Sequence, residues 1–287
     1  MENLQSDHLD TQNLYRDMQK RTGGEIYIGV VGPVRTGKST FIKRFMDVAV
    51  LPYMEDAAQK TRAQDELPQS AGGRTITTTE PKFIPQEAVE LKLAGEVTIR
   101  VRLVDCVGFM VEGAAGHLED GAERLVKTPW YDHEIPFTQA AELGTRKVIT
   151  DHSTIGVVVT TDGSFSDLPQ ETYLDAENQA ISELKKLHKP FLVLVNSSHP
   201  SSRTAREAAE RIEKQHSVAA MPVNCAQLSE EDIRQIMEQI LYEFPVSRVE
   251  FYMPKWVEML PFSHPLKTGL IEKIRELTGK IRTIRDV

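Results

Sequence analysis

Gly29-Val30-Val31-Gly32-Pro33-Val34-Arg35-Thr36-Gly37-Lys38-Ser39-Thr40 is the stretch whose reading decides the fold. An apolar run, Ile26 to Val31, leads into it and reads as a buried strand. Phe41-Ile42-Lys43-Arg44-Phe45-Met46 follows and reads as the first turns of a helix. Strand, glycine-bounded loop, Lys-Ser and helix, in that order, are the setting that separates a phosphate-binding loop from a chance match to its pattern. Gly32 and Gly37 let the backbone curl until successive N–H groups point inward at phosphate oxygens, and the new helix adds its positive end. Lys38 is placed to reach the β- and γ-phosphates, and the Ser39 hydroxyl to take Mg²⁺. Gly32, Pro33, Val34, Arg35, Thr36, Gly37, Lys38, Ser39 and Thr40 are therefore read as one nucleoside-triphosphate cradle. Within it Arg35 fits a phosphate contact and a solvated loop residue equally well.

The rest of the composition narrows the class. The 287 residues are 40% hydrophobic and 26% charged, a balance that supplies a core for one large domain or two small ones. A formal net charge of −8 argues against sequence-independent nucleic-acid binding as the main role. No apolar run approaches the roughly 18 residues that span a bilayer, and the polar start Met1-Glu2-Asn3-Leu4-Gln5-Ser6 is not expected to be a signal peptide. A cytoplasmic location is the expectation. Cys106 and Cys225 lie far apart without metal-ligand spacing, and free buried thiols are the expectation.

Leu9, Leu14 and Met18 recur at roughly helical spacing before Thr22-Gly23-Gly24, so residues 1–22 read as a flanking helix, with a partner- or membrane-surface helix as the alternative. Residues 23–243 read as the nucleotide-binding domain and 244–287 as the start of a following region. The polar stretch from Leu51 to Thr79 occupies the place of a first switch loop. Glu80–Ile84 and Val97–Val104 alternate as two strands, expected to form an antiparallel pair around Leu93-Ala94-Gly95-Glu96. The second strand closes on Asp105-Cys106-Val107-Gly108. An acid ending an apolar strand beside a phosphate loop can hold Mg²⁺ through water, and Gly108 lets the backbone approach the γ-phosphate. Residues 109–137 read as irregular, with a corner at Thr128-Pro129-Trp130-Tyr131, followed by a helix from Phe137 to Ile149. Strands at Ile155–Thr160, Phe191–Asn196 and Val218–Asn224 then alternate with helices near Pro169–Leu187, Thr204–Gln215 and Glu230–Tyr242. That alternation predicts an α/β fold: a mainly parallel sheet with helices on both faces and its ligand at the carboxyl ends of the strands. Beyond it a short strand/helix extension is expected, Val246–Tyr252 as the strand and Pro265–Arg285 as the helix, with the chain stopping inside that helix.

Guanine is read by Asn-Lys-x-Asp after the corresponding strand, but here the residues are Asn196-Ser197-Ser198-His199. Without the carboxylate that pairs with the guanine edge, strong guanine preference is lost, and adenine is the expected base. Asn196 is left to brace the phosphate loop. Phe109 stands where many GTPases carry the glutamine that positions water. Thr77, Thr78 and Thr79 are then the nearest candidates to orient water or to ligate Mg²⁺, unless they are only a polar lead into a strand. Slow hydrolysis is the expectation.

Arg21-Thr22-Gly23-Gly24, Gly29 to Thr40, Ala63 to Ser70, Thr78 to Phe83 and Arg102 to Gly108 resemble stage IV sporulation protein A, as do Thr128 to Tyr131, Gly144-Thr145-Arg146-Lys147 and Thr160 to Gly163. The resemblance covers essentially the whole chain. It implies a P-loop NTPase of the translation-factor-like GTPase type that hydrolyses ATP with Mg²⁺ and thereby polymerises. The site would be the mother-cell cytoplasm, where the polymer forms the basement layer of the spore coat on the outer forespore membrane. It also implies catalytic roles for Lys38, Asp105, Thr78 and Thr79, metal contacts for Ser39, Thr79 and Asp105, and cofactor contacts that include Gly108 and Asn196. The implied partners are further copies of the chain, a small amphipathic membrane peptide and a coat-morphogenesis protein, docking toward a C-terminal part that family members extend beyond this chain. A nucleotide-dependent regulatory switch with little turnover is the competing reading.

Overall fold

A computed structural model describes residues 24–68, 80–92, 98–114, 118–119, 122–166, 168–246 and 248–287. The expected flanking helix at 1–22, the Leu93–Glu96 turn and the threonines Thr77, Thr78 and Thr79 lie outside the described residues. Strand β1 (Glu25–Val31) feeds the glycine loop, and helix α1 (Lys38–Phe45) leaves it and widens into a π turn at Met46–Val50. Helix α2 (Ala57–Asp65) follows, then β2 (Lys82–Lys92) and β3 (Thr98–Asp105). Next come four short strands, β4 (Leu118–Glu119), β5 (Ala122–Glu123), β6 (Leu125–Thr128) and β7 (Tyr131–Pro136), ahead of helix α3 (Phe137–Lys147). Then β8 (Ile155–Thr161), α4 (Leu174–Lys186), β9 (Phe191–Asn196), α5 (Arg203–His216), β10 (Ala220–Val223) and α6 (Glu230–Tyr242) alternate.

The main sheet runs in the order β10-β9-β8-β1-β3-β2. Every pair in it is parallel except β2 with β3, which are antiparallel as the two alternating segments predict. Both faces are dry. Ile26, Ile28 and Val30 of β1, Val157 and Val159 of β8, and Leu192 and Leu194 of β9 pack with Phe41 and Phe45 of α1 and Ile233 and Ile236 of α6. The intervening residues Val31, Val158, Val193 and Val195 face the other way, against Ile181 and Leu184 of α4 and Ile212 of α5. A strand apolar at every position belongs between two helical layers, which is why β8 and β9 read as unbroken apolar runs. The sheet's outer strands each contain a proline, Pro85 in β2 and Pro222 in β10. Around Pro85 the β2 register breaks between Ile84 and Val89.

Three expectations are corrected. The 109–137 region is not wholly irregular: β4 pairs with β5, and β6 pairs with β7 through Leu125↔Pro136 and Thr128↔Tyr131, making the Thr128–Tyr131 corner a hairpin turn. Its strands carry exposed polar residues between sparse apolar ones, so the two-residue period is faint. Of the strand expected at Val246–Tyr252, the described residues 246 and 248–252 are coil, beside a single bridge between Pro245 and Thr283. Among the described residues no strand lies beside it to pair with, and residues 248–252 are exposed. The charged C-terminal helix is shorter than expected. After α7 (Lys255–Glu258), α8 runs from Pro265 only to Thr278, ends at Gly279, and a separate 3-10 turn follows at Ile284–Asp286.

One buried ion pair ties three elements together. Glu177 of α4 is 1% exposed, accepts from the Thr160 hydroxyl of β8 at 2.6 Å and pairs with Arg211 of α5 at 2.8 Å. Glu177 is the dry member, whereas Arg211 is 31% exposed, so it is loss of Arg211 that strands a charge away from water. Arg211→Leu should therefore lower unfolding stability by about 2 kcal/mol, measured as a shift of the urea midpoint with an unchanged slope.

Candidate nucleotide site

The carboxyl ends of β1 and β3, adjacent in the sheet, carry the chemistry that the sequence pattern singles out. The loop between β1 and α1 is held in a shape that only its residues permit. Gly32 (φ 126°) and Gly37 (φ 95°) lie in the left-handed region. A Cβ on Gly32 would run into the Val159 carbonyl of β8, and one on Gly37 into the Asn196 amide. Thr36, fully buried, donates its hydroxyl to the Val159 carbonyl at 2.6 Å and lies 3.0 Å from the Pro33 carbonyl. Asn196, at the end of β9, donates through Nδ2 to the Thr36 carbonyl at 2.9 Å and accepts the Cys225 amide on Oδ1 at 3.0 Å. The asparagine retained from the guanine-reading motif thus braces the loop. Arg35 is exposed at the loop's tip.

Lys38 is the centre of the site. Its side chain is buried under the loop, and Nζ donates to the Pro33 carbonyl at 2.5 Å. Burial lowers its pKa, while Cys106 and Asp105 nearby act to raise it. Asp105 ends β3. Burial raises its carboxyl pKa, opposed chiefly by Lys38 and by the hydrogen bond from Ser39. Ser39 donates to Asp105 Oδ2 at 3.2 Å, and the Cys106 amide donates to Oδ1 at 2.9 Å. Helix α1 begins here with no side-chain cap and no acid in its first turn, unlike α2, α5 and α6, which Asp56, Ser202 and Ser229 cap. Free N–H groups, a helix dipole and a buried ammonium all favour one kind of guest, a multiply charged anion. The Ser39 and Asp105 oxygens, in contact with each other, suit a hard divalent cation.

The loop after β3 is laced to the phosphate loop. The Val34 amide donates to Phe109 O at 2.9 Å and the Phe109 amide to Gly32 O at 3.0 Å. Gly108 (φ 102°) sits so close that an added Cβ would meet the Gly32 carbonyl and the Lys38 ammonium. The Gly108 amide donates to the Thr145 hydroxyl of α3 at 3.1 Å. Phe109 is buried among Val31, Val34 and Val104, so the position that offers a water-orienting glutamine elsewhere here belongs to the core. In the Asn196–His199 turn, Ser197 is buried and accepts the His199 amide at 3.0 Å, while His199 itself is exposed. No carboxylate occupies the guanine-reading position.

Of the residues singled out from sequence, the structure brings together Gly32, Pro33, Thr36, Gly37, Lys38, Ser39, Asp105, Gly108 and Asn196. Thr78 and Thr79 lie outside the described residues. Sequence reasoning passed over Thr145, the Val159 carbonyl and the Cys225 amide. The last two are backbone groups with no side-chain signature. Thr145 sat inside Gly144-Thr145-Arg146-Lys147, a stretch noticed for its resemblance but given no role.

The family profile "Stage IV sporulation protein A, ATPase domain" matches residues 9–245, and the profile for the middle domain of the same protein matches 246–287. The chain belongs to the stage IV sporulation protein A family. Relatives bearing that name are 48% identical over 275 residues in Clostridioides difficile (strain 630), covering 96% of this chain and 56% of that one. Those in Bacillus anthracis and Bacillus subtilis (strain 168) are 43% and 44% identical over 279 residues, each covering 97% of this chain and 57% of the relative. The chain therefore spans little more than half the length of the relatives it matches. A sporulation ATPase domain on a P-loop α/β scaffold is the class these matches support, with nucleotide binding part of it. Among the described residues no helix is long and apolar enough to cross a membrane.

Both cysteines are buried and free. Burial pushes the Cys106 thiol up to about 11 and the Cys225 thiol to about 12, from an ordinary value of 9.0. At pH 8 only about one Cys106 in a thousand is thiolate. Iodoacetamide should leave the native protein unlabelled at pH 8 and label both cysteines once it is unfolded, as counted by intact mass. Because the folded values are raised, the stability linked to these thiols is complete below about pH 9 and lost as pH climbs toward 11 and 12.

Proposed function

We propose that this chain binds ATP with Mg²⁺, hydrolyses it slowly, and uses turnover to drive self-assembly into the basement layer of the bacterial spore coat. The place would be the mother-cell cytoplasm at the outer forespore surface. The observation that carries this reading is the buried Lys38 ammonium beneath a glycine loop, beside the Ser39–Asp105 contact. Lys38 and the loop amides from Thr36 to Ser39 would take phosphate charge, and Ser39 and Asp105 would hold the metal, which supplies charge neutralisation between phosphates. Thr79 is proposed as a further metal contact and Thr78 with it as sensor of the γ-phosphate. Gly108 would bring its backbone to that phosphate. With Phe109 in the core, water must be oriented by another group, which fits slow turnover.

Adenine is favoured over guanine because Asn196 is consumed in bracing Thr36 and Cys225, and exposed His199 replaces the guanine-reading acid. Proposed partners are further copies of the chain, a small amphipathic membrane peptide and a coat-morphogenesis protein, with membrane contact indirect and no nucleic acid, since the net charge argues against sequence-independent binding to it. The buried Phe109 also supports a second reading, a nucleotide-dependent switch that recruits a partner with little turnover.

The deciding measurement is phosphate release with ATP and with GTP at equal concentration. Release should favour ATP by about tenfold or more, vanish in Lys38→Ala with loss of binding, and vanish in Thr79→Ala with binding kept. Preference for GTP would move the switch reading to first place; equal turnover in parent and Lys38→Ala would remove the site assignment.

A further inference from the structure

The Gly108 amide has one hydrogen, and in this structure the hydroxyl of Thr145 accepts it. Thr145 is completely buried in the third turn of α3. Its own proton goes to the Ala141 carbonyl at 2.8 Å, so an oxygen lone pair faces Gly108, and the Cys106 sulfur lies within reach of both groups as a weaker partner. The orientation is therefore defined: amide donor, hydroxyl acceptor. The same glycine is wedged against the Lys38 ammonium and the Gly32 carbonyl, with no room for a Cβ. The glycine thus lies at the wall of the seat built for an anion, while its N–H is turned to a partner in the protein. A buried amide cannot be left without a partner cheaply, and a single N–H makes one good hydrogen bond at a time.

We infer that Thr145 is a positioning residue for the third phosphate. Its hydroxyl holds the Gly108 amide while the γ-position is empty and yields it when a terminal phosphate oxygen arrives. The inference rests on the nucleotide reading above. A diphosphate leaves the Gly108–Thr145 bond untouched, whereas a triphosphate must break it, so Thr145 handicaps ATP relative to ADP by the worth of one neutral buried hydrogen bond. The trade also gives α3 a direct sense of which nucleotide is bound. This helix is anchored at both ends: its first amide, Phe137, donates to Arg124 O at 2.8 Å beside the β6–β7 hairpin, and its last turns run into a π turn at Val148–His152. Lys189 fastens that turn through Thr150 O and Ser153 O at 2.9 and 2.5 Å. Ser153 in turn lies against Gly29 of β1, where a Cβ could not fit. A helix pinned in this way keeps the Thr145 oxygen at a fixed point while the loop carrying Gly108 moves.

The test measures the affinities of the non-hydrolysable analogue AMP-PNP and of ADP by calorimetry, with Mg²⁺, on parent, Thr145→Val, Thr145→Ser and Lys38→Ala. Thr145→Val keeps the shape and removes the acceptor; the AMP-PNP to ADP affinity ratio should rise about fivefold. The melting temperature of the nucleotide-free protein should fall, since Gly108 is left with only the weak Cys106 sulfur as acceptor. Thr145→Ser should restore the parent ratio. Thr145→Ala, which also lacks the oxygen, carries the same prediction if the valine variant does not fold. An unchanged or lower ratio in a folded variant lacking the oxygen overturns the role of Thr145 while binding that depends on Lys38 still stands. A parent that binds neither nucleotide overturns the functional reading and this inference together.

Discussion

A lysine ammonium sealed beneath a backbone loop is the constraint on which the rest of this structure depends. Taking that charge out of water is costly, and the described residues offer it the Pro33 carbonyl, with the Cys106 thiol and the Asp105 carboxylate nearby. Burial drives both groups toward their neutral forms, and each restrains the other. Such a pair is poorly balanced on its own and well balanced around a phosphate and a divalent cation. The loop is not free to relax the strain, because the surrounding bonds hold it: Thr36 to Val159, Asn196 to Thr36, and Val34 and Phe109 to each other's strands.

The parallel sheet explains why those restraints meet at one place. With β8 and β3 on either side of β1, the acid that meets Ser39 stands level with Val30, and the Val159 carbonyl that takes Thr36 stands on the opposite flank two residues beyond Val157, the partner of Val30. β9, one strand further out, adds Asn196, and β10 brings the Cys225 amide to hold the asparagine's other end. Pre-set geometry of this kind removes reorganisation at the moment of binding, the general route by which protein dipoles stabilise phosphate charge.

Much of this was legible in the amino acids. The glycine loop with its flanking strand and helix, the acid at the end of β3, and the helix spanning Glu230–Tyr242 with its Ser229–Asp232 capping box all follow from strong local chemistry. The β6–β7 hairpin was not legible, because its strands bury little and carry a weak period. The segment from Val246 to Tyr252 misled for the opposite reason: it alternates well, but strand formation needs a neighbour and none is present among the described residues. At the site the unread residues are those whose part is played by backbone atoms, at Val159 and Cys225, or by a hydroxyl deep in a helix, at Thr145. A threonine in mid-helix looks like an indifferent helix former until the loop it touches is in view.

The two prolines at the margins of the sheet have a consequence for how copies of this chain can meet. Pro85 lies in β2 beside a break in register, and Pro222 lies in β10, so both outermost strands are missing a donor where a further strand would have to pair. Strand-by-strand extension, the cheapest way for a β-rich protein to stack and the first step toward amyloid, is obstructed at each margin. Growth of any ordered lattice from this domain is thereby left to complementary side-chain surfaces. Surfaces of that kind respond to a moved loop or a tilted helix, whereas a backbone ladder does not.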